Sequence, residues 1–137
     1  MGPRLVSWFR KKQNSIALCT AEAEYVAAAS CCTQLLWMMQ TFQDIQIKFS
    51  PPISIMCDNT SATSISKNPV MHSKTKHIPI KYHFLREQVL EKKVKLKHVP
   101  SKEQVANIFT KPLPREAFEY LREKLGVVSP MQKIRSA

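Results

Sequence analysis

Two carboxylate side chains, Glu24 and Asp58, stand where this chain could assemble a metal site. Asp58 ends the apolar run "SIMC" (Ser54–Cys57), and Glu24 lies near the start of a predicted helix. In a parallel sheet, a right-handed crossover places the start of that helix and the end of the strand before Asp58 at the same end of the sheet. The two carboxylates could therefore converge, and their hard oxygens are the ligands that Mg²⁺ prefers.

Both carboxylates also have a purely structural interpretation. An aspartate that follows a strand often caps the next helix, here through Thr60 or Ser61. A glutamate in the first helical turn interacts favourably with the helix dipole, and both Glu22 and Glu24 are predicted to lie there. The spacing of the residues leaves these alternatives open.

The segments that would position these residues alternate between strand and helix patterns. In chain order the sequence predicts a strand over 4–9, which residues 16–20 could extend or pair with, and a helix over 20–43 with Thr20 as its N-cap. It then predicts a strand over 53–57, helices over 61–67 and 79–92, and a strand over 93–99. The last two elements are a helix over 101–110 capped by Ser101 and a helix with Pro114 near its start and Gly126 at its C′ position. This order indicates an α/β fold with at least partly parallel strands.

The two strands that follow the long helix differ in pattern. Ile53–Cys57 is apolar throughout, which is typical of a strand covered on both faces of a parallel sheet. In 93–99, Val94, Leu96 and His98 alternate with lysines, which is typical of a half-exposed strand. We therefore expect the first strand to be central and the second to be nearer an edge.

The composition is that of one globular domain, for which we predict bounds of 1–127 and a flexible tail over 128–137. Of the 137 residues, 44% are hydrophobic and 23% are charged, and no apolar run is long enough to span a membrane. The N-terminus lacks the apolar stretch of a secretory signal. The four cysteines show no CxxC spacing, so we expect reduced thiols in a cytoplasmic or nuclear protein, with a zinc site as the alternative.

Positive charge is concentrated in one part of the chain. The formal net charge is +11, and from Lys67 to Lys111 there are eleven Lys and Arg residues against three Glu. Such a stripe attracts polyanions, chiefly because binding releases counterions from phosphate groups. The charge pattern favours nucleic acid as the partner, and a merely solvated lysine-rich face is the alternative.

The motifs "TAEAEY", "CDN", "TKH", "YHFLRE" and "FTKPL" occur in this order and carry a resemblance to a known family. The chain resembles, over about 3–127, the ribonuclease H domain at the C-terminus of copia-type retrotransposon Pol polyproteins. The resemblance implies a mixed sheet of five strands with helices on both faces. It also implies hydrolysis of the RNA strand of an RNA–DNA hybrid by two Mg²⁺ ions, which four carboxylates hold roughly 4 Å apart.

The resemblance assigns a metal-ligand role to Glu24 in "AEY" and to Asp58 in "CDN", but two of the family's carboxylates have no counterpart here. The family's first aspartate precedes the segment like "LVSWF", and "VANIFTK" has Asn107 where the family usually has aspartate. Two dications 4 Å apart repel by roughly 4 kcal/mol even at the dielectric constant of water. We therefore predict that this chain is catalytically incompetent and binds at most one Mg²⁺ weakly.

The same departure suggests a ribonuclease H-like fold that lacks its first two strands. We expect a reduced, mostly parallel sheet flanked by helices, in which "RLVSWF" (4–9) lies beside the 53–57 strand to give three parallel strands. Without that pairing, exposed sheet edges would favour self-association.

The resemblance further implies that an RNA–DNA hybrid or RNA is the partner. The side chains expected to contact it are His72, Lys74, Lys76, His77, Lys81 and Lys111. A plain polar loop is the alternative for the histidine-containing segment. Three other functions stay open: an active nuclease completed by a partner chain that supplies a strand and its aspartate, a protein-interaction module, and an open reading frame without function.

Overall fold

The computed structural model describes residues 5, 7–10, 12–13, 17, 19–67 and 83–127. In chain order their elements are helix α1 (Thr20–Asp44), strand β1 (Ile53–Cys57), helices α2 (Thr60–Lys67) and α3 (His83–Leu90), strand β2 (Val94–His98), a 3-10 turn (Ser101–Glu103), and helices α4 (Asn107–Thr110) and α5 (Arg115–Lys124). The chain forms two compact units, which we call the central unit (Gln13–Val99) and the terminal unit (Met1–Lys12 with Pro100–Ala137). None of the helices in the described ranges is long and apolar enough to cross a membrane.

The central unit contains a two-stranded parallel sheet. β1 pairs with β2 in a register that runs from Ile53 opposite Val94 to Cys57 opposite His98. An α/β fold with parallel strands, flanked by helices, is thus confirmed for the described residues. Parallel strands need a crossover connection, and α2 and α3 lie between the two strands in the chain.

In the described part of the chain, the buried side chains of this sheet lie on one face. Buried side chains of both strands point to the same face: Ile55, Cys57, Val94 and Leu96. On the other face Met56 is 45% exposed, and Lys95 and Lys97 are exposed. The expectation that β1 is covered on both faces is therefore wrong, because the lysines of β2 line up beside Met56 and keep that face hydrated. His98 is also exposed, although its alternation with Val94 and Leu96 predicted the buried side.

The hydrophobic core of the central unit is built mainly by α1. Its inward face carries small and medium side chains, including Ala28, Ala29 and Cys32, which let the helix approach the sheet closely. Leu85 of α3 and Ala62 of α2 are completely buried in the same cluster. Because this core contains residues of every central element, it fixes the ends of α1 and β1 relative to each other.

The described residues of the N-terminal segment are not part of the predicted strand. Of residues 4–9, the structure describes Leu5 and 7–9, and none of them is in a strand. Instead, the Leu5 backbone N–H donates to the Leu125 carbonyl oxygen at 2.8 Å, within the terminal unit. The last carbonyls of a helix lack partners inside the helix, so the end of α5 offers Leu5 an acceptor. The predicted third strand is therefore wrong for the described residues of this segment.

The starts of two predicted helices differ from prediction, and one predicted helix is interrupted. The N-cap of α1 is Cys19 rather than Thr20, and neither it nor Pro100 before the 3-10 turn makes a side-chain capping bond. The helix predicted over 101–110 is broken, because Gln104 adopts an extended conformation between the 3-10 turn and α4. α5 and its C′ glycine, Gly126 with φ of 68°, are confirmed. The predicted helix start at Pro79 lies outside the described residues.

Candidate metal site and nucleic-acid interface

Glu24 and Asp58 both act electrostatically on the thiol of Cys57. Burial raises the pKa of this thiol, and the negative charges of the Glu24 and Asp58 carboxylates raise it further. Such repulsion requires both carboxylates to lie near one sulfur atom, at the end of β1. Both side chains are half-buried, so solvent screens their interaction less than at an open surface.

The turn after β1 is fixed by Asn59. Its Oδ1 accepts a hydrogen bond from the Ala62 N–H at 2.9 Å, and its carbonyl oxygen accepts one from the Thr63 hydroxyl at 3.1 Å. Asn59 therefore supplies the side-chain cap of α2 that the sequence offered as the alternative role of Asp58. The sequence itself indicates this cap, because asparagine is a strong N-cap residue and Asn59 lies close before the predicted helix.

The structure also weakens the dipole interpretation of Glu24. Glu24 is the fifth residue of α1, and the acidic residue of the first turn is Glu22. The effect of the helix dipole falls off within that first turn. The start of α1 is held by its own backbone and by Gln13, whose side-chain amide donates to the Ala23 carbonyl oxygen at 2.9 Å. Glu24 thus stands on an ordered helical turn just beyond the first turn of α1.

The chemistry of this pair suits one hard cation. Two carboxylates with water ligands can hold a single Mg²⁺, which keeps several waters in most protein sites. Among the described residues, no group of three or more His, Cys, Asp or Glu side chains is placed to hold a metal ion. The Cys57 thiol does not extend the set, because its raised pKa keeps it protonated and thiols are soft ligands.

Asn107 makes an internal hydrogen bond in the terminal unit. Its side chain is only 7% exposed, and its amide Nδ2 donates to the Ser101 carbonyl oxygen at 2.8 Å. This bond links α4 to the 3-10 turn six residues earlier. A carboxylate has no hydrogen to donate to a carbonyl, so an aspartate at this position could not replace it. The position is therefore adapted to an amide.

Of the six predicted nucleic-acid contacts, Lys111 belongs to the described residues. His72, Lys74, Lys76, His77 and Lys81 lie outside the described residues.

Lys111, which directly follows α4, is exposed on the terminal unit. In the central unit, Lys95 and Lys97 add exposed positive charge on the open face of the sheet, while Lys93 pairs with Glu91 at 2.8 Å. The sequence placed Lys95 and Lys97 in the basic stripe without naming them as nucleic-acid contacts.

Comparisons with known proteins show that this chain is similar to segments of transposon polyproteins. No family model matches the chain, and no solved structure matches it. It is 39% identical over 128 residues to the retrovirus-related Pol polyprotein from transposon RE2 of Arabidopsis thaliana, and 39% identical over 127 residues to that from transposon RE1 of the same plant. It is 36% identical over 124 residues to the retrovirus-related Pol polyprotein from transposon TNT 1-94 of Nicotiana tabacum.

These alignments cover nearly all of this chain and little of its relatives. They include 93%, 93% and 90% of the chain, but only 9% of each relative's length. The similarity therefore concerns one segment of much longer proteins. The chain is homologous to a segment of the retrovirus-related Pol polyproteins of plant transposons.

Proposed function

We propose that this chain is a ribonuclease H-like segment that binds RNA–DNA hybrid or RNA, holds at most one divalent cation, and does not hydrolyse the hybrid on its own. The observation that carries the proposal is that the carboxylates of Glu24 and Asp58 both raise the pKa of the Cys57 thiol at the end of β1. Homology to Pol polyprotein segments and the motif resemblance support the choice of substrate class.

The charge of the site argues against a pair of metal ions. Glu24 and Asp58 supply two negative charges, and Asn107, where the resembling family usually has aspartate, is neutral and adds none. Two Mg²⁺ ions 4 Å apart repel by roughly 4 kcal/mol in water, and by several times more at an effective dielectric constant near 20. When bound, a single Mg²⁺ would supply Lewis acidity at an oxygen of the nucleic acid. Glu24 and Asp58 would hold it.

The excess of positive charge supports nucleic-acid binding. The chain has 21 Lys and Arg residues against 10 Asp and Glu. Lys95, Lys97 and Lys111 are exposed, and contacts of exposed lysines with phosphates give affinity that falls with salt and carries little sequence information. We expect binding to be weak, tolerant of sequence and strongly dependent on ionic strength.

The metal site is tested with Mn²⁺, which can replace Mg²⁺ and is detected by electron paramagnetic resonance. The chain should bind one Mn²⁺, and Glu24→Gln or Asp58→Asn should weaken this binding on the order of tenfold, because each removes one of two anionic ligands. Glu87→Gln is the matched control, since Glu87 is exposed on α3 and its substitution changes the net charge equally. Two bound ions, or equal effects of all three substitutions, would contradict the site.

The activity is tested with a labelled RNA–DNA hybrid in the presence of Mg²⁺. We expect retention of the hybrid at low salt, loss of retention as salt rises, and no cleavage. Cleavage that disappears in Glu24→Gln would overturn the catalytic part of the proposal and establish an active nuclease. Binding that does not respond to salt would instead favour a protein-interaction module.

A further inference from the structure

An exposed aromatic platform lies in the terminal unit. The indole ring of Trp8 stacks on the ring of Phe109, with ring centroids 5.3 Å apart and planes inclined by 1°. Despite this stack, Trp8 is 62% exposed, and the neighbouring Phe9 is 71% exposed. An offset stack covers one face of an indole, so Phe109 fixes the plane of Trp8 while its other face stays accessible to solvent.

Basic residues lie close to both members of this stack in the sequence. Arg10 and Lys12 follow the two aromatic residues and are exposed, and no acidic residue occurs in 1–21. Lys111, two positions after Phe109, is also exposed. Basic side chains beside an exposed aromatic ring are the combination that binds single-stranded nucleic acid, because the cations contact phosphates while a base stacks on the ring.

We propose that Trp8 is a stacking platform for unpaired nucleobases, so that the terminal unit binds single-stranded nucleic acid. The inference rests on the proposed nucleic-acid affinity and deepens it by naming the strand state that this surface prefers. Inside a duplex both faces of each base are already stacked on neighbouring bases, which leaves none for Trp8. RNA and DNA present the same base faces, so the platform accepts either sugar.

The other tryptophan provides an internal control. Trp37 on α1 is 67% exposed, nearly the same as Trp8, but residues 13–47 contain no Lys or Arg. Exposure alone therefore does not distinguish the two tryptophans. If charge and ring together make the site, only Trp8 should respond to an oligonucleotide.

Tryptophan fluorescence tests this directly with the native platform in place. Trp37→Phe leaves Trp8 as the sole tryptophan, and Trp8→Phe leaves Trp37. Each variant is titrated with a thymidine 20-mer, a uridine 20-mer and the thymidine 20-mer annealed to its complement. We expect both single strands to quench the fluorescence of Trp8 in the Trp37→Phe chain, the duplex to have little effect, and Trp37 to stay unquenched in the Trp8→Phe chain.

Affinity provides a second readout through the anisotropy of the labelled thymidine 20-mer. Trp8→Ala should weaken binding about tenfold because it removes the stacking surface, whereas Trp8→Phe and Trp37→Ala should stay within about threefold of the native chain. Single strands that bind without quenching Trp8, or with equal loss in both alanine variants, would overturn this inference and leave the proposed function standing. Absence of binding to every oligonucleotide, including the hybrid, would overturn both.

Discussion

The two compact units of this chain differ in the interactions that stabilise each of them internally. In the central unit, eleven buried residues from five elements form one hydrophobic cluster. In the described part of the terminal unit, Leu121 is the one buried apolar side chain, and Asn107 is buried beside hydrogen-bonding groups. Non-directional burial thus positions Glu24 and Asp58, whereas individual hydrogen bonds and one aromatic stack position Asn107 and Trp8.

Surface interactions contribute to the terminal unit as well. The carboxylate of Glu103 accepts hydrogen bonds from Lys124 and from the Tyr120 hydroxyl, the latter at 3.0 Å, which ties the 3-10 turn to α5. The hydrogen bond from Lys124, followed by that from Tyr120, lowers the pKa of Glu103. Exposed ion pairs of this kind stabilise a fold only slightly. We therefore expect the terminal unit to open more readily than the central unit.

The largest expected effect comes from removing core volume. Leu85→Ala empties a fully buried position in the central unit and should lower its free energy of unfolding by about 2–5 kcal/mol. Leu121→Ala should abolish the protection of terminal-unit amides against hydrogen exchange, while the central unit stays folded. Hydrogen exchange measured residue by residue separates these outcomes.

Leu90→Ala is the matched control for the core substitution. Leu90 lies on the same helix as Leu85 but is 65% exposed, so its truncation should change stability by less than about 0.5 kcal/mol. If Leu121→Ala reduced protection in both units equally, the contrast between them would be wrong, and they would unfold as one cooperative body.

A smaller effect is expected at the hydrogen bond of Asn107. Asn107→Asp removes the donor to the Ser101 carbonyl oxygen and places a carboxylate next to it, which should destabilise the terminal unit by about 1–3 kcal/mol above the pKa of the new side chain. The repulsion raises that pKa, so the loss should diminish as the pH falls and the carboxyl group becomes protonated. Urea unfolding, monitored by hydrogen exchange of the α4 amides at several pH values, measures this loss of stability.

Ser101→Ala separates the two contacts of this amide. The Asn107 amide lies 3.4 Å from the Ser101 hydroxyl, a longer contact than that to the carbonyl, so its removal should cost far less. Equal stability of Asn107→Asp and the native chain, together with a second bound Mn²⁺ in the variant, would indicate a position that still favours a metal ligand.

Local patterns predicted the central unit well. β1 over Ile53–Cys57 was predicted with its observed limits, and α1 and β2 within one residue at each end, because hydrophobic runs and periodicity report the burial that holds these elements. The convergence of Glu24 and Asp58 also follows from the order of elements, since strand ends and helix starts meet at one edge of a parallel sheet. What the pattern missed was Asn59, which caps α2.

The terminal unit was predicted less well because its interactions are distant in the sequence. The bond between Leu5 and Leu125 joins residues 120 positions apart, and no local signal distinguishes it from strand pairing. The break in the predicted 101–110 helix is instead local, at Gln104, whose extended conformation the helical pattern did not predict. A segment stabilised by a few directional bonds leaves little periodicity to detect.

The smallest expected effect is at the C-terminal ends of α1 and α5. These two ends have the same backbone arrangement but different residues. α1 and α5 both end with a residue at positive φ, Gln46 at 60° and Gly126 at 68°. At each end the following amide reaches back to the helix, Ile47 to the Phe42 carbonyl at 2.8 Å and Val127 to the Arg122 carbonyl at 3.1 Å. This is the Schellman arrangement, in which glycine is favoured because it has no Cβ to clash.

Exchanging the two residue types should therefore have opposite effects. Gln46→Gly should stabilise the central unit by about 0.5–1 kcal/mol, and Gly126→Gln should destabilise the terminal unit by a similar amount. Gln34→Gly, in the exposed interior of α1, makes the same substitution where φ is helical and should destabilise by about 1 kcal/mol. The melting temperatures of Gln46→Gly and Gln34→Gly are compared with that of the native chain. They shift in opposite directions only if the backbone conformation at position 46, rather than helix propensity, determines the outcome.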